Sequence, residues 1–166
     1  MTVLFRKSQT AFAKWSEWSL WRPMLLQRIA FAALFLANTG VPAQADFRIV
    51  DDQGGRIGSY LAKFHGVRGS GERVIVDGIC ASACTVMLGI IPRSRTCVTS
   101  RAVFQFHSAW DPVATGGAVE SRAGNRLLWT HYPPAIRHWI NSHGGLSSRP
   151  LELRGGELAK FYRTCS

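Results

Sequence analysis

The sequence predicts an α/β domain. Stretches with strand and helix character alternate from Phe47 to the end of the chain. Val74-Ile75-Val76 is a short, continuous β-branched run, as expected for a strand buried on both faces. Ile57, Tyr60, Leu61 and Phe64 recur at intervals of three and four, the spacing of an amphipathic helix. With 166 residues the chain has room for one such domain.

Taken in order, Asp46 to Val50 reads as a first short strand, with Phe47 and Ile49 on one side. Asp51 to Gly55 is a turn, because Gly54-Gly55 accepts positive φ. The helix from Ile57 to Phe64 follows, closed by Gly66 and Gly69-Ser70-Gly71. Arg73 to Asp77 is the central strand. Ser82 to Ile91 reads as a buried helix that Pro92 stops. Thr96 to Thr99 and Ala102 to Phe106 are strand-like. Asp111 to Asn125 reads as a loop or lid running into a helix that Leu127 to Trp129 continues. Pro133-Pro134 opens a helix over Ala135 to Ser142, closed by Gly144-Gly145, and Glu152 to Tyr162 is expected to be a short helix.

Residues 1–45 stand apart from this domain. Met24 to Leu36 is an apolar run preceded or entered by Arg6, Lys7, Lys14, Arg22 and Arg28. It leads to Ala43-Gln44-Ala45, the small-x-small pattern of a signal-peptidase site. The expectation is a Sec-type signal peptide cleaved after Ala45, and a periplasmic or secreted protein. The run is short for a membrane span of about 20 apolar residues, so membrane contact is expected only through an uncleaved leader. Met24 could itself be the true start. Phe12, Trp15, Trp18 and Trp21 leave an amphipathic surface helix as the alternative for the first residues.

The part after Ala45 holds 15 Lys+Arg against nine Asp+Glu, a net charge of +6 with His neutral. The basic residues are dispersed, without the clustered footprint that nucleic acid requires, so no nucleic-acid partner is expected. All four cysteines, Cys80, Cys84, Cys97 and Cys165, lie in this part. After export an even count points to two disulfides, and four cysteines allow three pairings. A Cys80–Cys84 bridge would close a very small loop across a corner, an awkward geometry. Tying Cys165 to the centre of the chain would fix the tail. The spacing is not that of a zinc site, and no metal or other cofactor is expected.

Cys80-Ala81-Ser82-Ala83-Cys84 is the stretch that reads as chemistry. A nucleophilic serine needs an exposed oxygen and backbone N–H groups aimed at the same point. A tight strand-to-helix corner with small neighbours supplies both, by the logic of the nucleophile elbow, although GxSxG is absent. The Ala83 N–H would face a developing oxyanion. The plain alternative is that Ser82 caps a helix. His107, at the end of the strand Ala102 to Phe106, is the candidate general base. His65, His131, His138 and His143 lack ligand spacing and read as surface residues. Trp110, Trp129 and Trp139 read as core or interface aromatics, Arg93 and Arg95 as a solvated loop or an anion contact.

This stretch resembles the ClpP/crotonase superfamily, and in particular small exported ClpP-like proteins of bacteria. Gln53-Gly54-Gly55 before a helix looks like the family's Gly-Gly turn. Gly78 to Leu88 resembles its nucleophile segment, and Phe106-His107, after a strand that follows Arg95, its histidine segment. The 25-residue separation of Ser82 and His107 is similar to the family's spacing. The resemblance implies a reduced ClpP/crotonase-like fold of ββα-type units in one domain over 46–166, N-terminally short because the strand and helix usual before the Gly-Gly turn have no room. It implies Ser82 as nucleophile, His107 as base, and the N–H groups of Gly55 and Ala83 as oxyanion hole. The family's acid has no counterpart in Gly145 to Arg149, and Asp111 and Glu157 are the nearest substitutes. The expected activity is serine hydrolysis, of peptide bonds first. The alternatives are an inactive fold that binds an envelope protein and a purely structural disulfide-stapled protein. Self-association into a homo-oligomer is a further expectation, given the small core.

Overall fold

The computed structural model describes residues 45–166, nearly all of a compact unit spanning Gln44–Ser166. The expected signal peptide, its apolar run and the Met24 start lie outside the described residues. What is described is a single mixed α/β domain.

Strand β1 (Phe47–Asp52) leads through the Gly54-Gly55 turn into helix α1 (Ile57–Ser70). The helix runs past its expected end at Gly66. Gly66 and Gly69 lie on its exposed side, while Phe64 and Val67 continue the buried stripe. Glycine inside a helix costs about 1 kcal/mol, and here tertiary contacts offset it. The Arg95 guanidinium donates to the carbonyls of Val67 at 2.9 Å and Arg68 at 3.0 Å in the last turn, and to Glu72. Gly71, at φ 81°, ends the helix. Arg95 is therefore a helix clamp, neither a solvated residue nor an anion contact. Arg93 instead lies over the Tyr162 ring at 5.7 Å.

Strand β2 (Val74–Ala81) is longer than expected, reaching to Ser82 itself. Val74, Ile75 and Val76 are all buried, as the β-branched run predicted. Gly78 lets it continue: a Cβ there would stand 1.5 Å from the Val50 carbonyl oxygen, where β1 bulges. The expected buried helix after Ser82 is a 3-10 segment (Ser82–Val86) followed by α2 (Met87–Ile90).

After a short 3-10 turn (Arg93–Arg95), strand β3 (Thr96–Val98) pairs with the first half of β2, and β4 (Val103–Phe106) with its second half. The 111–125 region runs into a helix as expected, but what precedes the helix is paired. It forms a hairpin of β5 (Trp110–Pro112) and β6 (Ala118–Glu120), then α3 (Arg122–His131). Helix α4 (Pro134–Ser142) follows. The expected last helix instead begins as the end of β7 (Leu151–Arg154), antiparallel to β4, and is helical only over α5 (Gly155–Leu158). The Leu151-Glu152-Leu153-Arg154 alternation is a period-2 signal that the flanking helical residues obscured.

The sheet order is β1-β2-β4-β7, with β3 beside β2. β1, β3 and β4 all run parallel to β2. One face is the core. Val74, Val76, Phe104, Phe106 and Leu153 are fully buried there, in one cluster with Phe64, Met87, Leu128, Tyr132, Ile136 and Ile140. On the alternate positions Asp77, Ile79, Val103 and Gln105 are half-buried. Asp77 accepts from Arg101 at 2.8 Å, Thr99 at 2.7 Å and Arg48 at 2.9 Å. These bonds, led by those from Arg101, hold its carboxyl well below the usual range. Among the described residues no helix is long and apolar enough to cross a membrane.

The cysteines pair as Cys80–Cys84 and Cys97–Cys165. The first corrects the expectation of an awkward bridge. The chain reverses so tightly at Ser82 that the two Cα atoms approach to 5.3 Å, well within disulfide reach. The second ties the tail to β3, beside a parallel bridge between Val98 and Thr164.

Candidate functional site

Ser82 stands where β2 stops, with φ 54°, the one positive value at a described non-glycine residue. Left-handed backbone costs an L-residue roughly 1–2 kcal/mol, so the surroundings must hold it. They do so in three ways. The Cys80–Cys84 bridge closes around the corner. The Thr85 hydroxyl donates to the Ser82 carbonyl at 2.5 Å. Having given its one proton there, Thr85 accepts from the Tyr132 hydroxyl at 2.8 Å. Burial is the larger influence on Tyr132, pushing its pKa up to about 12, so it stays a neutral donor. Ser82 is thus not a helix cap: Ala81 holds that position, and the Ser82 hydroxyl has no hydrogen-bond partner among the described residues.

The Gly54-Gly55 turn is pressed against this corner. A Cβ on Gly54 would lie 2.6 Å from the Ala81 oxygen, 2.8 Å from the Ser82 Cβ and 2.9 Å from the Ala83 nitrogen. With φ 81° as well, only glycine fits. Asp52 secures the turn, accepting from the Gly54 N–H at 3.0 Å, from Lys63 at 3.1 Å and from the Tyr60 hydroxyl. Burial pushes the Asp52 carboxyl up, but the bonds from Tyr60, Gly54 and Lys63 outweigh it and leave it below its ordinary value. Burial and then Asp52 raise Tyr60 to about 12. The N–H groups of Gly55 and Ala83 donate to no acceptor among the described residues.

His107 follows the last residue of β4. The register pairs Ala81 with Gln105, so Ser82 and His107 both leave the carboxyl ends of adjacent parallel strands. Such strands lie about 4.8 Å apart. No hydrogen bond joins the two side chains among the described residues; the His107 Nδ1 lies 2.8 Å from the Ser108 carbonyl oxygen. A carbonyl can only accept, so Nδ1 carries the proton, and in the neutral imidazole Nε2 is then the acceptor.

The two acid candidates lie elsewhere. Asp111 is exposed on β5, and Glu157 faces His143 at 3.9 Å. Neither makes a hydrogen bond or ion pair with His107. Trp110 is 60% exposed and so not a core aromatic, whereas Trp139 is buried and stacks on His143. His65 and His138 are exposed, and His131 is half-buried with Nδ1 at 2.8 Å from the Leu127 oxygen. Among the described residues no group of three His, Cys, Asp or Glu is arranged to hold a metal ion.

Asp52, Tyr60, Thr85 and Tyr132, none of them a candidate site residue from sequence alone, hold the corner. Only Asp52 carried a local signal, since Asp-x-Gly favours a side-chain turn. No protein-family model and no curated protein matches the chain.

Proposed function

We propose that this protein is an exported serine hydrolase, acting on peptide bonds, with a reduced ClpP/crotonase-like fold. The observation that carries the reading is Ser82 held at φ 54° with the Gly54-Gly55 turn packed against it. A non-glycine residue kept in that conformation by a covalent bridge and buried hydrogen bonds is a site where strain serves function. It gives the hydroxyl an open approach, as in a nucleophile elbow.

In this reading the Ser82 Oγ attacks the substrate carbonyl while His107 Nε2 takes its proton. The N–H groups of Gly55 and Ala83 receive the oxyanion, where preorganised donors contribute most. The C–N bond breaks, the amine leaves with the proton from His107, and water then releases the acyl group from Ser82 by the same route. The Ser82–His107 contact would close on substrate binding, as catalytic hydrogen bonds often do. A periplasmic or secreted location agrees with the two disulfides.

A fluorophosphonate probe tests the reading on the oxidised protein. Labelling that disappears in Ser82→Ala supports it, and a folded, oxidised protein that does not label sinks it. The second reading is an inactive relative that binds an envelope protein, favoured because the His107 Nδ1 meets a backbone carbonyl, and no carboxylate among the described residues. It predicts no labelling together with a stable complex, or a homo-oligomer, on size-exclusion chromatography.

A further inference from the structure

Among the described residues no carboxylate bonds to His107 directly, yet a continuous run of hydrogen bonds leads from it to one. Its Nδ1–H donates to the Ser108 carbonyl at 2.8 Å. That carbonyl belongs to the same peptide unit as the Ala109 N–H, which donates to Asn125 Oδ1 at 2.6 Å. Asn125 Nδ2 in turn donates to Glu120 Oε1 at 2.6 Å. The amide orientation of Asn125 is chemically determined, because a backbone N–H on one side requires the oxygen there and a carboxylate on the other requires the nitrogen.

We propose that Asn125 is a positioning residue for His107 and that Glu120, acting through Asn125 and the Ser108–Ala109 peptide, is the acid of the site. The inference rests on the serine-hydrolase reading. All donors in the run point the same way, from His107 toward Glu120. Each bond therefore makes the next acceptor better, and hydrogen-bond chains in a protein reinforce one another in this sense. No proton crosses the peptide. The carboxylate polarises Asn125, Asn125 polarises the peptide, and the Ser108 oxygen holds the Nδ1–H tautomer.

The segment is also held in place from both ends. The Ser121 N–H donates to the Ala109 carbonyl at 2.8 Å, and the Ser108 N–H to the Ser147 carbonyl at 2.7 Å. Ser121 caps α3 through the Gly124 N–H, which brings Asn125 to Ala109. Gly124 itself is packed so closely that a Cβ would lie 2.6 Å from the Ala109 Cβ. The hairpin serves the same end, because β6 pairs Glu120 with Trp110 and so returns the carboxylate to the His107 segment.

The test combines nitrogen NMR of the His107 imidazole with the rate of fluorophosphonate labelling at Ser82, both on the full-length oxidised protein. Wild type should show a single Nδ1–H tautomer. Asn125→Leu should release it to a mixture and slow labelling about fivefold, the equivalent of one net hydrogen bond. Glu120→Gln, an exposed change that spares the fold, should keep the tautomer and slow labelling roughly twofold. Combining Asn125→Asp with Glu120→Gln exchanges carboxylate and amide, and should restore both readouts. The proposal is overturned if Asn125→Leu leaves tautomer and rate unchanged. If that variant does not fold, an unaltered rate in Glu120→Gln or failure of the exchanged pair to restore the tautomer overturns it. Should Ser82 never label, the hydrolase reading fails, and the tautomer result still decides what Asn125 does to His107.

Discussion

Cys97–Cys165 links residues 68 apart and fastens the tail to β3, whereas Cys80–Cys84 links residues four apart and encloses Ser82. In the chain-entropy model a bridge stabilises by restricting the unfolded chain, and the effect grows with the logarithm of the loop. The long bridge is then worth about 4 kcal/mol and the short one about 2 kcal/mol. The short bridge contributes geometry instead: it is one of the restraints that keep Ser82 in a conformation its own sterics oppose. One bridge holds the domain together, and the other holds a single residue.

Removing the long bridge should have the largest effect on stability. Replacing Cys97 and Cys165 by Ala should lower stability by about 4 kcal/mol in denaturant unfolding. Ser82 should still label at temperatures where the protein remains folded. Replacing Cys80 and Cys84 by Ala should cost about half as much stability yet abolish labelling. Equal losses of labelling at equal folded fraction would erase the distinction.

Ser82→Gly should act in the opposite direction, adding stability while removing the nucleophile. Glycine accepts φ 54° without penalty, so the variant should be more stable than wild type by about 1 kcal/mol while being inert to the probe. A Ser82→Gly protein less stable than wild type would show that the corner carries no strain.

The smallest effect concerns acid stability, away from both bridges. The Asp77 carboxyl is depressed first by its bond from Arg101 and next by that from Thr99. A depressed carboxyl contributes stability that is fully present above its unfolded pKa of 3.8 and is lost as pH falls further toward its folded value. Asp46, bonded to Arg73, and Asp52 act in the same direction. Asp77→Asn should therefore lower the melting temperature slightly at pH 7 and flatten its decline below about pH 4. An unchanged acid limb would assign that decline to other carboxylates.

Part of the site was legible because its signals are local. Gly54-Gly55, the small residues around Ser82 and the strand before His107 are each a few residues long and speak for their own backbone. The same local reasoning erred where distant partners decide. Arg95, 27 residues beyond Arg68, carries α1 past two glycines through bonds to its last carbonyls. Asp111 and Glu157 are substitutes out of register with the position the resemblance implies, and neither bonds to His107. Glu120 reaches the imidazole segment only through Asn125 and a peptide unit.

The sequence alone determined the α/β class, the buried strand at Val74 to Val76 and the serine at its far end, because strand and helix periods and turn residues act over short spans. Only the tertiary structure decided how Cys80 and Cys84 could meet, why Ser82 sits at positive φ and which groups face His107. Those depend on the parallel register of β2 and β4 and on the hairpin's return to Ala109, and such long-range pairings are set by the packing of the whole sheet.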